Sequence, residues 1–155
     1  MRPVETLVWE KISDQEGLSE VAHDLVEQFH HSKDRCLCVW LEGPLGAGKT
    51  TLCGAMLHNM GLSSKVPVTS PTYAYLNEYE LGKDIWAHMD LYRLPAGSGL
   101  EELGVEPDHH FRGMFVEWPE KVSDTSLIIP DFILRVNRED DPGRRRYQLF
   151  KIGVK

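Results

Sequence analysis

The 155-residue chain has the length and composition of one globular domain, with 41% hydrophobic and 26% charged residues. Its formal net charge of −7 argues against a protein that binds nucleic acid mainly through the backbone phosphates. The sequence has no apolar run of membrane-spanning length, and charges come too early for a signal peptide. We therefore expect a single domain over residues 1–155, in the cytoplasm and away from membranes.

The first predicted elements alternate between strand and helix. "TLVWEKI" predicts a strand, and "SDQE" offers a capping box, Ser13 with Glu16, for a following helix. "CLCVWLE" is a short apolar run, typical of a strand buried on both faces. "KTTLCGAMLHNMG" predicts a helix that ends at Gly61.

The second half of the chain predicts more strands. "IWAHMD" and "MFVE" are apolar runs that end in an acid, with a short helix, "GLEELG", between them. "DFILRVN" and "RRRYQLFKI" flank "REDDPG", which predicts a C-terminal β-hairpin. The pattern favours a three-layer α/β sandwich with a mixed sheet that is parallel at its centre.

A phosphate-binding loop follows the buried strand "CLCVWLE". The segment "GPLGAGKT", residues 43–50, fits G-x-x-x-x-G-K-[ST] in full, with a strand before it and a helix after it. The sequence therefore predicts a P-loop NTPase-like fold, in which Lys49 reaches phosphate oxygens and Thr50 ligates Mg²⁺. The expected nucleotide-binding residues here are Gly43, Leu45, Gly46, Ala47, Gly48, Lys49, Thr50 and Thr51.

Two acids are placed to complete this site. Asp90 ends "IWAHMD" and Glu117 ends "MFVE", and the carboxyl ends of parallel strands share one sheet edge. Asp90 has the position of a metal-binding carboxylate, and Glu117 could ligate the metal or orient water. We predict catalytic roles for Asp90, Glu117 and Lys49, and metal ligation by Thr50, Asp90 and Glu117. A surface charge at a strand end is the alternative for either acid.

Two further segments are weaker candidates. Thr72, in "VTSPTY", is the predicted γ-phosphate sensor, although its hydroxyl could equally satisfy a turn. The run Arg144, Arg145 and Arg146 could touch nucleotide, partner or tRNA, or be a solvated strand face. Alternation separates Arg145 from the other two. We predict that Arg144 contacts the nucleotide and that Arg145 matters less.

The P-loop leaves several functions open. The nucleotide could serve an ATPase that supports other proteins, a small-molecule kinase or a regulatory nucleotide-binding switch module. Little chain remains for a kinase acceptor domain. "NRED", residues 137–140, resembles a guanine-recognition motif but lies in the predicted hairpin rather than after a buried parallel strand.

Five segments together resemble a known family. "GPLGAGKTT", "SPTY", "HMDLYRL", "EELG" and "VEWPEK" occur in the order seen in the TsaE (YjeE) family, over residues 41–121. Members of this family are bacterial P-loop ATPases needed to make threonylcarbamoyladenosine in tRNA. Pro44 departs from the family pattern, which usually has an acid there.

The resemblance implies an activity, a cofactor and partners. It implies Mg²⁺-dependent ATP hydrolysis, slow without partners, that supports the TsaB–TsaD complex; tRNA would be met only through that complex. Lys49 and Thr50 would hold phosphate and metal, and Asp90 and Glu117 would be the acids essential for turnover. Gly143 and Arg144 resemble a family hairpin that lies near the nucleotide.

Overall fold

The computed structural model describes residues 3–29, 35–71 and 74–154. The described elements are β1 (Pro3–Asp14), α1 (Leu18–Gln28), β2 (Leu37–Glu42), α2 (Lys49–Asn59), β3 (Leu76–Leu81), β4 (Asp84–Asp90), β5 (Gly113–Glu117), β6 (Phe132–Arg138) and β7 (Arg144–Val154). Short 3₁₀ turns cover Leu100–Leu103 and Pro119–Lys121. Among the described helices, none has both the length and the apolar character needed to cross a membrane.

The seven described strands form one mixed sheet in the order β1-β7-β6-β2-β5-β4-β3. Its centre is parallel, since β6, β2, β5 and β4 run in the same direction. β6 and β7 form the predicted C-terminal hairpin. Antiparallel pairing also occurs where β1 joins β7 and where β3 joins β4. The predicted mixed sheet with a parallel core is therefore confirmed.

The two faces of the sheet are covered differently. Val39 and Leu41 of β2 pack in the cluster that contains α1 and α2, whereas Cys38 and Trp40 pack with loops and 3₁₀ turns on the opposite face. This alternation is the period of a strand buried on both sides. The predicted three layers are present, with loops and 3₁₀ turns as the third layer.

The start of α1 differs from the predicted capping box. β1 continues through Ser13 to Asp14, because those residues pair with the start of β7. Gly17 occupies the N-cap position without a side-chain cap, and its N–H donates to Asp14 Oδ1 at 3.0 Å. Strand pairing thus overrides the local preference of "SDQE" for a helix end.

Candidate functional site

The P-loop joins the carboxyl end of β2 to α2. Gly43, Gly46 and Gly48 have φ values of 153°, 74° and 101°, which side chains rarely adopt. At Gly43 a Cβ would also lie 2.3 Å from the carbonyl oxygen of Val136. Gly48 is the N-cap of α2, so the loop leads directly into the positive end of a helix dipole. This is the backbone geometry of an anion cradle.

Lys49 is held inside the site. It is 5% exposed, donates a hydrogen bond to the carbonyl oxygen of Gly43 and lies 4.0 Å from the centre of the Trp118 ring. Burial lowers the pKa of Lys49, while the charges of Glu117 and Asp90 oppose that shift. The ammonium group therefore already lies beside the loop that would hold phosphates.

The two predicted acids meet at the same sheet edge. β4 and β5 are parallel, and their register places Asp90 opposite Glu117. Glu117 is 3% exposed, and its Oε2 accepts a hydrogen bond of 2.9 Å from the Thr50 hydroxyl. The same oxygen lies 2.6 Å from Nε2 of His88, which is fully buried. Glu117 is thus a buried carboxylate tied directly to the P-loop.

Asp90 is more open than Glu117. Its carboxylate accepts hydrogen bonds from the Ser70 hydroxyl and from the backbone N–H of Tyr92. It borders a cavity of about 400 Å³ that Leu45 and Arg93 also line. The "SPTY" loop therefore reaches the acid edge through Ser70. Thr72, the predicted sensor in that loop, lies outside the described residues.

The oxygen atoms of this edge fit a hard cation such as Mg²⁺. Thr50 supplies a hydroxyl, and Glu117 and Asp90 supply carboxylates from neighbouring strands. No group of three or more His, Cys, Asp or Glu side chains in the described part of the chain could hold a metal by itself. Mg²⁺ typically binds one or two carboxylates and takes its other ligands from water and substrate phosphates.

The basic hairpin contacts the P-loop through Arg145 and Arg138, whereas the prediction for Arg144 concerns the nucleotide itself. Arg145 Nε donates to the carbonyl oxygen of Ala47 at 3.1 Å, and Arg138 Nη2 donates to that of Gly46 at 2.9 Å. Arg144 is exposed, one position along β7 from Arg145 and hence on the other face. The predicted separation by alternation is correct, but the structure places Arg145, not Arg144, against the loop.

The structure brings most predicted site residues together. The loop and the first turn of α2 contain Gly43, Leu45, Gly46, Ala47, Gly48, Lys49, Thr50 and Thr51. Leu45 and Thr51 are exposed, whereas Lys49 is buried. Sequence reasoning assigned no site role to His88, Trp118, Arg138 or Ser70. Of these, His88 is hydrogen-bonded to Glu117.

Comparison with known proteins identifies close counterparts. The family model described as threonylcarbamoyl adenosine biosynthesis protein TsaE matches residues 12–147. The tRNA threonylcarbamoyladenosine biosynthesis protein TsaE of Aquifex aeolicus is 31% identical over 128 residues, 82% of this chain and 88% of that protein. The Haemophilus influenzae protein of the same name is 35% identical over 111 residues, 70% and 67% of the two chains.

A solved structure shares the fold. The crystal structure of YdiB from Bacillus subtilis superposes with a TM-score of 0.64 at 22% sequence identity. The match covers 97% of this chain and 88% of the YdiB chain. At this identity the likeness concerns the arrangement of strands and helices.

Proposed function

The chain belongs to the TsaE family, whose name refers to threonylcarbamoyladenosine biosynthesis in tRNA, and on that premise we propose that it is a Mg²⁺-dependent ATPase. The observation that carries the proposal is the 2.9 Å hydrogen bond from the Thr50 hydroxyl to Glu117. It puts a buried carboxylate beside the P-loop hydroxyl expected to meet metal and phosphate. A loop that bound nucleotide without turnover would not need such an acid there.

Each side chain has a distinct task in this proposal. The backbone N–H groups of the P-loop bind phosphate oxygens, and Lys49 turns from the Gly43 carbonyl to neutralise them. Thr50, with Glu117 or Asp90, would hold Mg²⁺, which would supply charge neutralisation at the phosphates. Glu117 then orients the attacking water and accepts its proton. Arg145 and Arg138 hold the loop in shape from the hairpin side.

We further propose that the ATPase acts with a TsaB–TsaD-type complex in the cytoplasm and meets tRNA only through it. The names of the relatives support work in this pathway. The net charge of −7 disfavours tight independent binding to tRNA.

The test is phosphate release from ATP by the purified chain, with Mg²⁺ or with EDTA, in the presence and absence of TsaB and TsaD. We expect slow hydrolysis that needs Mg²⁺ and rises when both partners are added. GTP in competition should be the poorer substrate. A chain that releases no phosphate from ATP under any of these conditions would contradict the proposal.

A further inference from the structure

His88 joins the site from inside the sheet. It lies on β4, two residues before Asp90, and is fully buried. Its Nε2 is 2.6 Å from Glu117 Oε2, the same oxygen that accepts the Thr50 hydroxyl at 2.9 Å. Two side chains, from β4 and α2, therefore converge on one oxygen of the Glu117 carboxylate on β5. Glu117 Oε1 makes no hydrogen bond with a described residue, so it is the oxygen available to water or metal.

The direction of the His88 bond follows from its surroundings. A carboxylate oxygen accepts hydrogen bonds, so the proton between the two groups belongs on Nε2. The other ring nitrogen, Nδ1, is buried and has no hydrogen-bond partner among the residues that the structure describes. A proton on Nδ1 would be a buried donor without an acceptor, which is costly. The Nε2–H form donates to Glu117 and leaves Nδ1 without a proton.

The two bonds to Glu117 differ in permanence. The Thr50 hydroxyl is a ligand of the proposed nucleotide site, and when it turns to a metal or phosphate oxygen it gives up Glu117. His88 is fully buried, and its other ring nitrogen, Nδ1, has no hydrogen-bond partner among the described residues. Once Thr50 has turned away, the hydrogen bond from His88 remains to hold the orientation of the Glu117 carboxylate.

We propose that His88 is a positioning residue of the ATPase centre, whose Nε2–H fixes the Glu117 carboxylate so that Oε1 faces the reacting phosphate and water. This inference rests on the proposed ATPase function. His88 touches neither nucleotide nor metal; it acts through Glu117. Residues that hydrogen-bond to a metal ligand without touching the metal contribute roughly 10- to 100-fold to affinity or activity.

The first test compares His88→Met, which keeps a large apolar side chain and removes the donor, with His88→Gln, which keeps an N–H at similar reach. Phe115→Leu is the matched control, because Phe115 is buried and opposite His88 in the β4–β5 register. We expect His88→Met to lower kcat for ATP about 10- to 100-fold with KM changed less than about threefold. His88→Gln should regain most of that loss. Phe115→Leu should lower Tm but leave kcat near that of the parent.

The second test does not require turnover, and its decisive readout comes from the parent protein. Long-range ¹H–¹⁵N spectra of the parent protein, labelled at histidine, report which ring nitrogen of His88 carries the proton. We expect Nε2 to be protonated and its signal to move in Glu117→Gln. An unprotonated Nε2 with a protonated Nδ1 would overturn the proposal, even if His88→Met does not fold.

The two proposals fail in different ways. If the parent hydrolyses ATP and His88→Met matches its kcat, the role of His88 is wrong and the ATPase function stands. If His88→Met and His88→Gln lose kcat equally, the donor is not what matters and the proposal is overturned. If the parent shows no Mg²⁺-dependent hydrolysis, the proposed function fails whatever the imidazole spectrum shows.

Discussion

The P-loop lies between two flanks that are built differently, because β2 sits between β5 and β6. On the acid flank, the side chains of Glu117 and Asp90 extend from parallel strand ends, and Glu117 is 3% exposed. On the arginine flank, Arg138 and Arg145 extend from the hairpin and donate to backbone carbonyls of the loop. Buried charges interact more strongly than exposed ones. The acid flank is therefore suited to chemistry, and the arginine flank to holding the shape of the loop.

The largest effect should come from the acid flank. Glu117→Gln keeps the size of the side chain and removes its charge, so the attacking water loses its proton acceptor. We expect turnover to fall on the order of 10²-fold while ATP affinity changes little. Glu120→Gln, at an exposed acid three residues later, is the matched control. Steady-state phosphate release beside calorimetry separates the two quantities, and unchanged turnover in Glu117→Gln would remove the functional distinction between the flanks.

Lys49, between the flanks, should have the next largest effect. Lys49→Ala removes a charge-assisted contact to phosphate, and we expect ATP to bind roughly 10- to 100-fold more weakly by calorimetry. Lys65→Ala, at an exposed lysine, should bind like the parent. Because burial lowers the pKa of Lys49, ATP affinity should fall as pH rises, starting at a lower pH than for an exposed lysine. Equal affinities for Lys49→Ala and Lys65→Ala would contradict the P-loop assignment.

The smallest effect should come from the arginine flank. Arg145→Ala removes a hydrogen bond to the Ala47 carbonyl, and since Arg145 is only partly buried we expect ATP affinity to drop about 3- to 10-fold. Arg144→Ala is the matched control one residue away and should lie within about twofold of the parent. Calorimetry at several salt concentrations, beside tRNA binding, checks this. A larger loss in Arg144→Ala would show that the other face of β7 meets the nucleotide.

The acid flank could be predicted from the sequence because its signals are local. An apolar run that ends in Asp90, another that ends in Glu117 and a complete P-loop motif each occupy a short stretch. Parallel pairing then brings the two acids into register, as expected. The role of His88 could not be predicted from a local pattern. Its fully buried position and its bond to Glu117 come from packing between two strands.

The arginine flank could not be assigned from the sequence because the decisive information is not local. Alternation correctly places Arg145 and Arg144 on opposite faces of the strand. However, "RRRYQLF" has apolar residues on both faces, so the pattern does not show which face is buried. Tyr147 and Leu149 pack in the helix-side core, which puts Arg145 on the P-loop face. Phe150 lies on the other face of β7, where its ring contacts the Arg135 guanidinium. Only the tertiary packing decides which set faces the loop.

The hairpin contacts also determine the order in which parts of the site can form while the chain is being synthesised. The bonds from Arg138 and Arg145 to the P-loop join residues 92 and 98 positions apart. Among the described strands, β1 comes first in the sequence and pairs with β7, which comes last. Contacts at such separation make folding slow, because loop closure precedes any gain from pairing. On the ribosome, the glycine-rich loop emerges before the hairpin, so the bonds from Arg138 and Arg145 to the loop form only after the hairpin has left the exit tunnel.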